Sequence, residues 1–292
     1  MFTADDFGLS PALNNAVGLA HQFGLLRNAS LMPAAPASTQ AGALSRELPD
    51  LCLGVHLTLI QGCAILPPRA IPRLVDSEGR FPTDPVRTGW RYWVEVDLLP
   101  EIRRELRAQI EAVLEAGLQV WHLNSHLNLH LHPRLVPLVV DLAREYHIPA
   151  LRLAKEDWRT ILALAPDGPI PKVALGCIFA VLSRRARHVA ESAGLLVNDH
   201  LFGLTHDGRL TEDYLVKLVP RLKPGLTEIY SHPALVADPA LHQAAPGYLR
   251  QEEFTALVSV HLQEALQRGG VEVTDFREVI QGRGHSSGHF SP

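Results

Sequence analysis

Along the chain, short β-type runs are followed repeatedly by longer runs in which apolar residues recur at helical spacing. FTAD gives way to Ser10, an N-cap, and Pro11, a first-turn residue; PALNNAVGLAHQFG then keeps helical spacing until Gly24. LRNASLM (26–32) predicts a second strand, a small-residue helix runs to Leu48, and LCLGVHLTL (51–59) alternates as a strand does. A helix over 100–117, the strand through His122, a helix over 133–146, a strand at 149–154 and a helix over 173–194 follow. LLVND (195–199), the helix TEDYLVKLVPRL, the strand LTEIYSH, a long helix over 248–268 and the strand VEVTDF complete the series. Strands alternating with helices predict parallel pairing with helical crossovers. The expected fold is α/β: a single domain over 1–280 forming a distorted (β/α) TIM-like barrel. An open doubly wound sheet is less favoured, because no G-x-G-x-x-G turn marks a dinucleotide site. Residues 60–99 break the pattern with a Pro- and Trp-rich insertion, expected near the barrel mouth as a lid or binding loop. Residues 281–292 are expected to form a disordered tail.

Composition narrows the function classes. At 292 residues, 47% hydrophobic and 20% charged, the chain can bury a large core. A net charge of −4 argues against nucleic acid as a partner. The one basic knot, RRAR at 184–187, reads as a solvated helix face, with peripheral contact to anionic lipid as the alternative. Three cysteines without a close-spaced pair offer neither a disulfide framework nor a cysteine zinc site. Without a leader or a long apolar run, a cytoplasmic protein is expected, membrane-associated at most peripherally.

The segment HLNSHLNLHLHP (122–133) concentrates candidate chemistry. From Val120 to His132 polar and apolar residues alternate with period two, and Pro133 disfavours α conformation before it, so the stretch reads as a strand entering a loop. Strand residues four apart lie roughly 13 Å from each other, so His122 and His126 cannot share one metal. His126, near the expected strand end, is the better ligand, and His122 is expected deeper, hydrogen-bonded in the core. His130 and His132 either line the mouth or cap the following helix. Other strand ends supply partners: Asp5 and Asp6 in TADDFG, His56 in GVHLTL and His232 in EIYSHP. Each alone has a structural explanation, since adjacent aspartates start turns and single strand histidines are usually structural. Together at successive strand ends they predict a metal site at the C-terminal face. No G-x-S-x-G elbow is present, and the cysteines lie in apolar surroundings.

TADDFGLSPALNNAV, LNSHLNLHLHP, LLVNDHLFGL and GLTEIYSHPA together resemble the YdjC-like carbohydrate deacetylases over nearly the whole chain, most of all the hopanoid-biosynthesis-associated HpnK branch. The resemblance implies a distorted barrel with one divalent metal held by Asp6, His56 and His126. It also implies Asp5 as general base, His232 as acid or oxyanion-stabilising group, and Arg152 as the residue orienting the aspartate. Candidate substrate contacts are His130, Asp199 and His200, with Trp90 and Trp93 of the insertion as a platform for a sugar ring or lipid, or simply a cover over the mouth. Mixed imidazole and carboxylate donors favour zinc, with magnesium or another divalent ion as alternatives. The implied substrate is an N-acetylglucosamine group on a hopanoid glycolipid; spacing alone says only a neutral amide or ester near a metal. Asn124 stands where many relatives have Asp, Asn128 replaces a histidine, and MFTA is short for a first strand. The rival expectations are a metal-dependent phosphoesterase, which needs cations at the mouth, and a non-catalytic sugar-binding barrel.

Overall fold

A computed structural model describes residues 1–164 and 169–286. Eight strands, β1 (Phe2–Phe7), β2 (Asn28–Leu31), β3 (Cys52–Leu57), β4 (His122–Ser125), β5 (Ala150–Leu151), β6 (Leu196–Val197), β7 (His200–Phe202) and β8 (Thr227–Ser231), form one sheet. Its order is β6-β5-β4-β3-β2-β1-β8-β7, with every pair parallel. Helices Pro11–Phe23, Ser38–Glu47, Leu99–Glu115, Val136–Glu145, Pro169–Ser192 and Glu212–Leu218 lie in the connections. Among the described residues, no helix is long and apolar enough to cross a membrane.

The two ends of the sheet, β6 and β7, are separated in sequence only by Asn198 and Asp199. One run of chain therefore pairs first with β5 and then with β8, which curls the sheet into a distorted barrel. Asn198 fastens the change of partner. Its Oδ1 accepts from Leu153 N (2.7 Å), and its Nδ2 donates to Leu153 O (2.8 Å) and His200 O (3.0 Å). Leu201 N adds a bond to Lys155 O at 2.9 Å.

Alternation along the strands sets two environments. Leu53, Val55 and Leu57 of β3 join the apolar layer beneath the helices. The barrel interior is polar and buried instead, with Thr3, Asn28, Ser30, His56, His122, Asn124, Arg152 and Glu228. Gly54 belongs to this interior for a steric reason: a Cβ there would lie 2.3 Å from His122 Nε2.

Several boundaries differ from those the pattern predicts. β1 runs through DDF, so the short MFTA start still yields a six-residue strand. VEVTDF is not a strand; the helix Phe276–Ser286 begins at its last residue. Phe276 N donates to Asn28 Oδ1 at 3.2 Å, and its ring stacks on His122 at 4.5 Å. This segment joins no strand of the sheet and packs its aromatic against the interior instead. The expected helix over 248–268 breaks into Arg250–Leu257 and Val260–Arg268, where Ser259 Oγ caps the second by accepting from Leu262 N at 3.0 Å. The helix Phe276–Ser286 reaches into the expected tail; the rest of that tail, 287–292, lies outside the described residues. Within 60–99, the helix Pro85–Val94 is capped by Asp84, which accepts from Arg87 N at 3.0 Å.

Candidate metal centre

Neighbouring strand residues face opposite ways, yet Asp5 and Asp6 both turn into one site. The register explains how. Ala4 pairs with Ala29 and Phe7 with Leu31, so β1 carries one extra residue at the aspartates. Asp6 absorbs the bulge with φ of 58°, a left-handed conformation uncommon outside glycine. Leu9 N donates to Asp6 O at 2.9 Å, and Gly8 N to Asn14 Oδ1 at 2.8 Å, which holds the turn.

Asp6 Oδ1 lies 3.0 Å from His126 Nδ1 and 3.4 Å from His56 Nε2. One donor atom from each residue lies within 4.8 Å of the others, which fits a single ion. The neighbours of each ring leave the inward nitrogen free for a ligand role. His56 Nδ1 donates to Asn124 Oδ1 (2.8 Å), and His126 Nε2 donates to Gln61 Oε1 (3.2 Å), so the lone pairs belong to His56 Nε2 and His126 Nδ1. Burial opposes ionisation of Asp6, but the facing His126, with His56, outweighs it and holds the carboxyl well below its ordinary range. Burial likewise lowers His126, and the Asp6 carboxylate more than reverses this, leaving it raised. Asp6 and His56 are buried, and His126 is the member of the triad at the solvent side. A cleft of about 470 Å³ opens there, between Gln61, Phe81 and the helix Pro239–Ala244.

Asp5 points beside the triad and is gripped from behind. Arg152 forks onto it, Nη1 to Oδ2 at 2.5 Å and Nη2 to Oδ1 at 2.8 Å, while Asn124 Nδ2 donates to Oδ1 at 3.2 Å. Burial pushes the Asp5 carboxyl up; the Arg152 charge, with His56, outweighs it and keeps the group ionised. Arg152 is wholly buried, also donates to Glu228 Oε1 (2.8 Å) and lies 4.8 Å over the Tyr230 ring. Its carbonyl is fixed in turn by His130 Nε2 at 2.9 Å.

His232 follows the last residue of β8 and faces the triad, Nε2 3.9 Å from Asp6 Oδ2. Its Nδ1 lies 3.4 Å from Asp207 Oδ1, near enough for an ion pair but not aligned as a hydrogen bond. Tyr248 donates its hydroxyl to Asp207 Oδ2 and packs its ring 4.9 Å from that of His232. Gly208, at φ of 68°, makes room, since a Cβ there would stand 2.1 Å from the Tyr248 ring. Burial raises the Asp207 carboxyl against the pull of His232 and Tyr248. Glu253 seats the strand end by accepting from His232 N at 2.7 Å. Asp207, Tyr248 and Glu253 escape sequence reasoning. THDG reads as an ordinary turn, and nothing local links it to a tyrosine 41 residues on.

The structure separates the remaining candidates. His122 is deep in the interior, 3.0 Å from Ser30 Oγ with Nδ1 unpartnered, and burial drives its pKa down to about 3. His130 is also buried, with a pKa lowered to about 3 by burial. Ser125 Oγ (2.8 Å) and the Arg152 carbonyl occupy its two nitrogens, so it has no polar atom left for a substrate. His132 stays at the rim, accepting from Arg134 N at 3.2 Å. Asp199 and His200 lie away from this site. His200 is level with Thr227, the first residue of β8, whereas His232 follows the last, so the pair lies at the opposite end of the barrel. Asp199 there accepts from Leu226 N at 2.9 Å. Trp90 and Trp93 stand exposed on the helix Pro85–Val94, and neither lines the cleft at His126.

Comparison with known proteins adds independent findings. A family model described as YdjC-like protein matches residues 1–268. The chain is 32% identical over 292 residues to a carbohydrate deacetylase of Vibrio cholerae serotype O1, with 98% of each covered. It is 24% identical over 273 residues to a carbohydrate deacetylase of Thermoanaerobacter pseudethanolicus, covering 94% of this chain and 96% of that one. A crystal structure from Enterococcus faecalis, described as a candidate cellobiose-phosphate cleavage protein, matches with a TM-score of 0.75 at 25% identity, covering 96% of this chain and 97% of that one.

Proposed function

The chain belongs to the YdjC-like family, and from that premise we propose that it is a metal-dependent deacetylase hydrolysing the N-acetyl group of an N-acetylglucosamine-type sugar. The observation that carries this reading is the meeting, at one barrel mouth, of the Asp6, His56, His126 triad with a second aspartate forked by a buried arginine. The curated relatives named above are carbohydrate deacetylases, and the motif likeness to the hopanoid-associated branch extends the proposal to a glycolipid substrate. Two neutral imidazoles and a carboxylate suit zinc better than magnesium.

A divalent ion held by Asp6, His56 and His126 would supply Lewis-acid polarisation of the acetyl carbonyl and acidify the attacking water. Asp5, kept ionised by Arg152 and outside the triad, takes the proton that water gives up. His232, backed by Asp207, faces the triad and delivers a proton to the departing amine nitrogen. The new C–O bond replaces the C–N bond, and acetate and a free amine result. A phosphoesterase would need a free cation beside the triad itself. Arg152 is not one, being buried and engaged by Asp5 and Glu228. Zinc-loaded protein is expected to release acetate from an N-acetylglucosaminyl compound and leave aryl phosphates intact; the opposite selectivity would overturn the proposal.

A further inference from the structure

Sheet order makes β3, β4 and β5 neighbours, so the segments leaving their C-terminal ends occupy one continuous arc of the mouth. That arc collects exposed apolar side chains: Trp90 and Trp93 after β3, Leu127 after β4, and Trp158, Leu162 and Ile170 after β5. Ile170 is 81% exposed and Trp90 69%. Three of the four tryptophans of the chain lie on this arc. The insertion is tied to the β4 loop there, since the Trp93 ring meets His132 at 5.8 Å.

Three arginines on the arc lack an acidic partner among the described residues. Arg134 lies 5.4 Å over Trp93, Arg159 5.3 Å over Trp158, and Arg87 shares the helix of Trp90. All three are exposed, and among the described residues none has a carboxylate partner. The acids nearby are already engaged: Glu95 and Asp97 by Arg73, and Asp157 by Lys223. Uncompensated arginines, two of them over exposed tryptophans, in a chain of net charge −4, match a surface that is apolar within and anionic at its boundary. Tryptophan suits that boundary because its ring is largely apolar and its N–H polar.

We propose that this arc docks on an anionic lipid bilayer, so that the headgroup of an amphiphilic substrate is presented to the metal centre. The proposal rests on the deacetylase reading for its purpose but not for its test, because docking is read without turnover. The probe is flotation of the full chain with vesicles of phosphatidylcholine, with or without a minority of phosphatidylglycerol. Wild type is expected to float with the anionic vesicles. Replacing Arg87, Arg134 and Arg159 by Gln should weaken that partition about fivefold per arginine. Trp158→Ala with Ile170→Asp should weaken it at least about tenfold, with circular dichroism reporting that the fold is kept. A wild type that ignores anionic vesicles overturns the proposal, as does binding that both variants retain. Concentration-dependent self-association through these tryptophans, without vesicle binding, would assign the arc to a second copy and also overturn it. A chain that floats but does not deacetylate refutes the catalytic reading alone.

Discussion

Asn124→Ala removes one amide from the middle of the site, and its effects follow from three contacts. Oδ1 accepts from His56 Nδ1 at 2.8 Å, while Nδ2 donates to Asp5 Oδ1 at 3.2 Å and to Ser30 Oγ at 2.8 Å. The variant leaves His56 Nδ1–H without an acceptor, so the ring loses both its fixed tautomer and its aim at Asp6. Losing such a partner typically weakens metal binding by about 10- to 100-fold, or roughly 1.4 to 2.8 kcal/mol. All the partners are buried, so the metal-free protein should also lose about 3–5 kcal/mol of stability. Competition for zinc against a chromophoric chelator reads the first effect, and urea unfolding in chelator reads the second. Asn124→Asp is the control: it keeps the acceptor for His56 but loses the donor to Asp5, so it should bind metal more tightly than Asn124→Ala. An alanine variant that is destabilised yet binds zinc as wild type does would refute the orienting role of the amide.

Two further outcomes are expected. His122 and His130 have folded pKa values of about 3 against an ordinary 6.5, so the unfolded chain takes up their protons first. Their contribution is complete above pH 6.5 and is lost as pH falls towards 3; at pH of about 5.5 the loss is about 1.4 kcal/mol for each. His122→Gln should therefore lose about 1.4 kcal/mol less than wild type between pH of about 7.5 and 5.5 in urea melts; equal losses would show that His122 does not titrate this way. Asp207→Asn should lower kcat for acetate release roughly 10- to 100-fold with little change in KM, because His232 loses its anionic support. An unchanged kcat would remove Asp207 from the machinery.

Much of this arrangement is legible in the chain because strand alternation is local. GVHLTL already separates inward Gly54 and His56 from outward Val55 and Leu57, and LNSH separates Asn124 from Leu123. What depends on distant partners is not legible. The bulge that turns Asp5 and Asp6 to one site exists only through the register with β2. VEVTDF alternates as a strand should, but it joins no strand of the sheet, and its Phe276 packs on His122 instead. The change of partner between β6 and β7 puts Asp199 and His200 at the end of the barrel away from this site, though LLVNDHLFGL looks as site-like as the other motifs. His130 illustrates the limit of residue type as a guide: its position in the histidine cluster suggests the mouth, whereas Ser125 and the Arg152 carbonyl take both of its nitrogens.

The decisive measurement is elemental metal content of Asp5→Asn beside His56→Ala and His126→Ala, each purified and zinc-loaded identically. Neutralising Asp5 leaves Asp6, His56 and His126 in place, so that variant should keep about one ion per chain while losing acetate release. Each alanine variant should lose most of its metal. Equal loss in all three would make Asp5 a ligand, and undiminished metal in the two alanine variants would mean that the triad is not the metal centre.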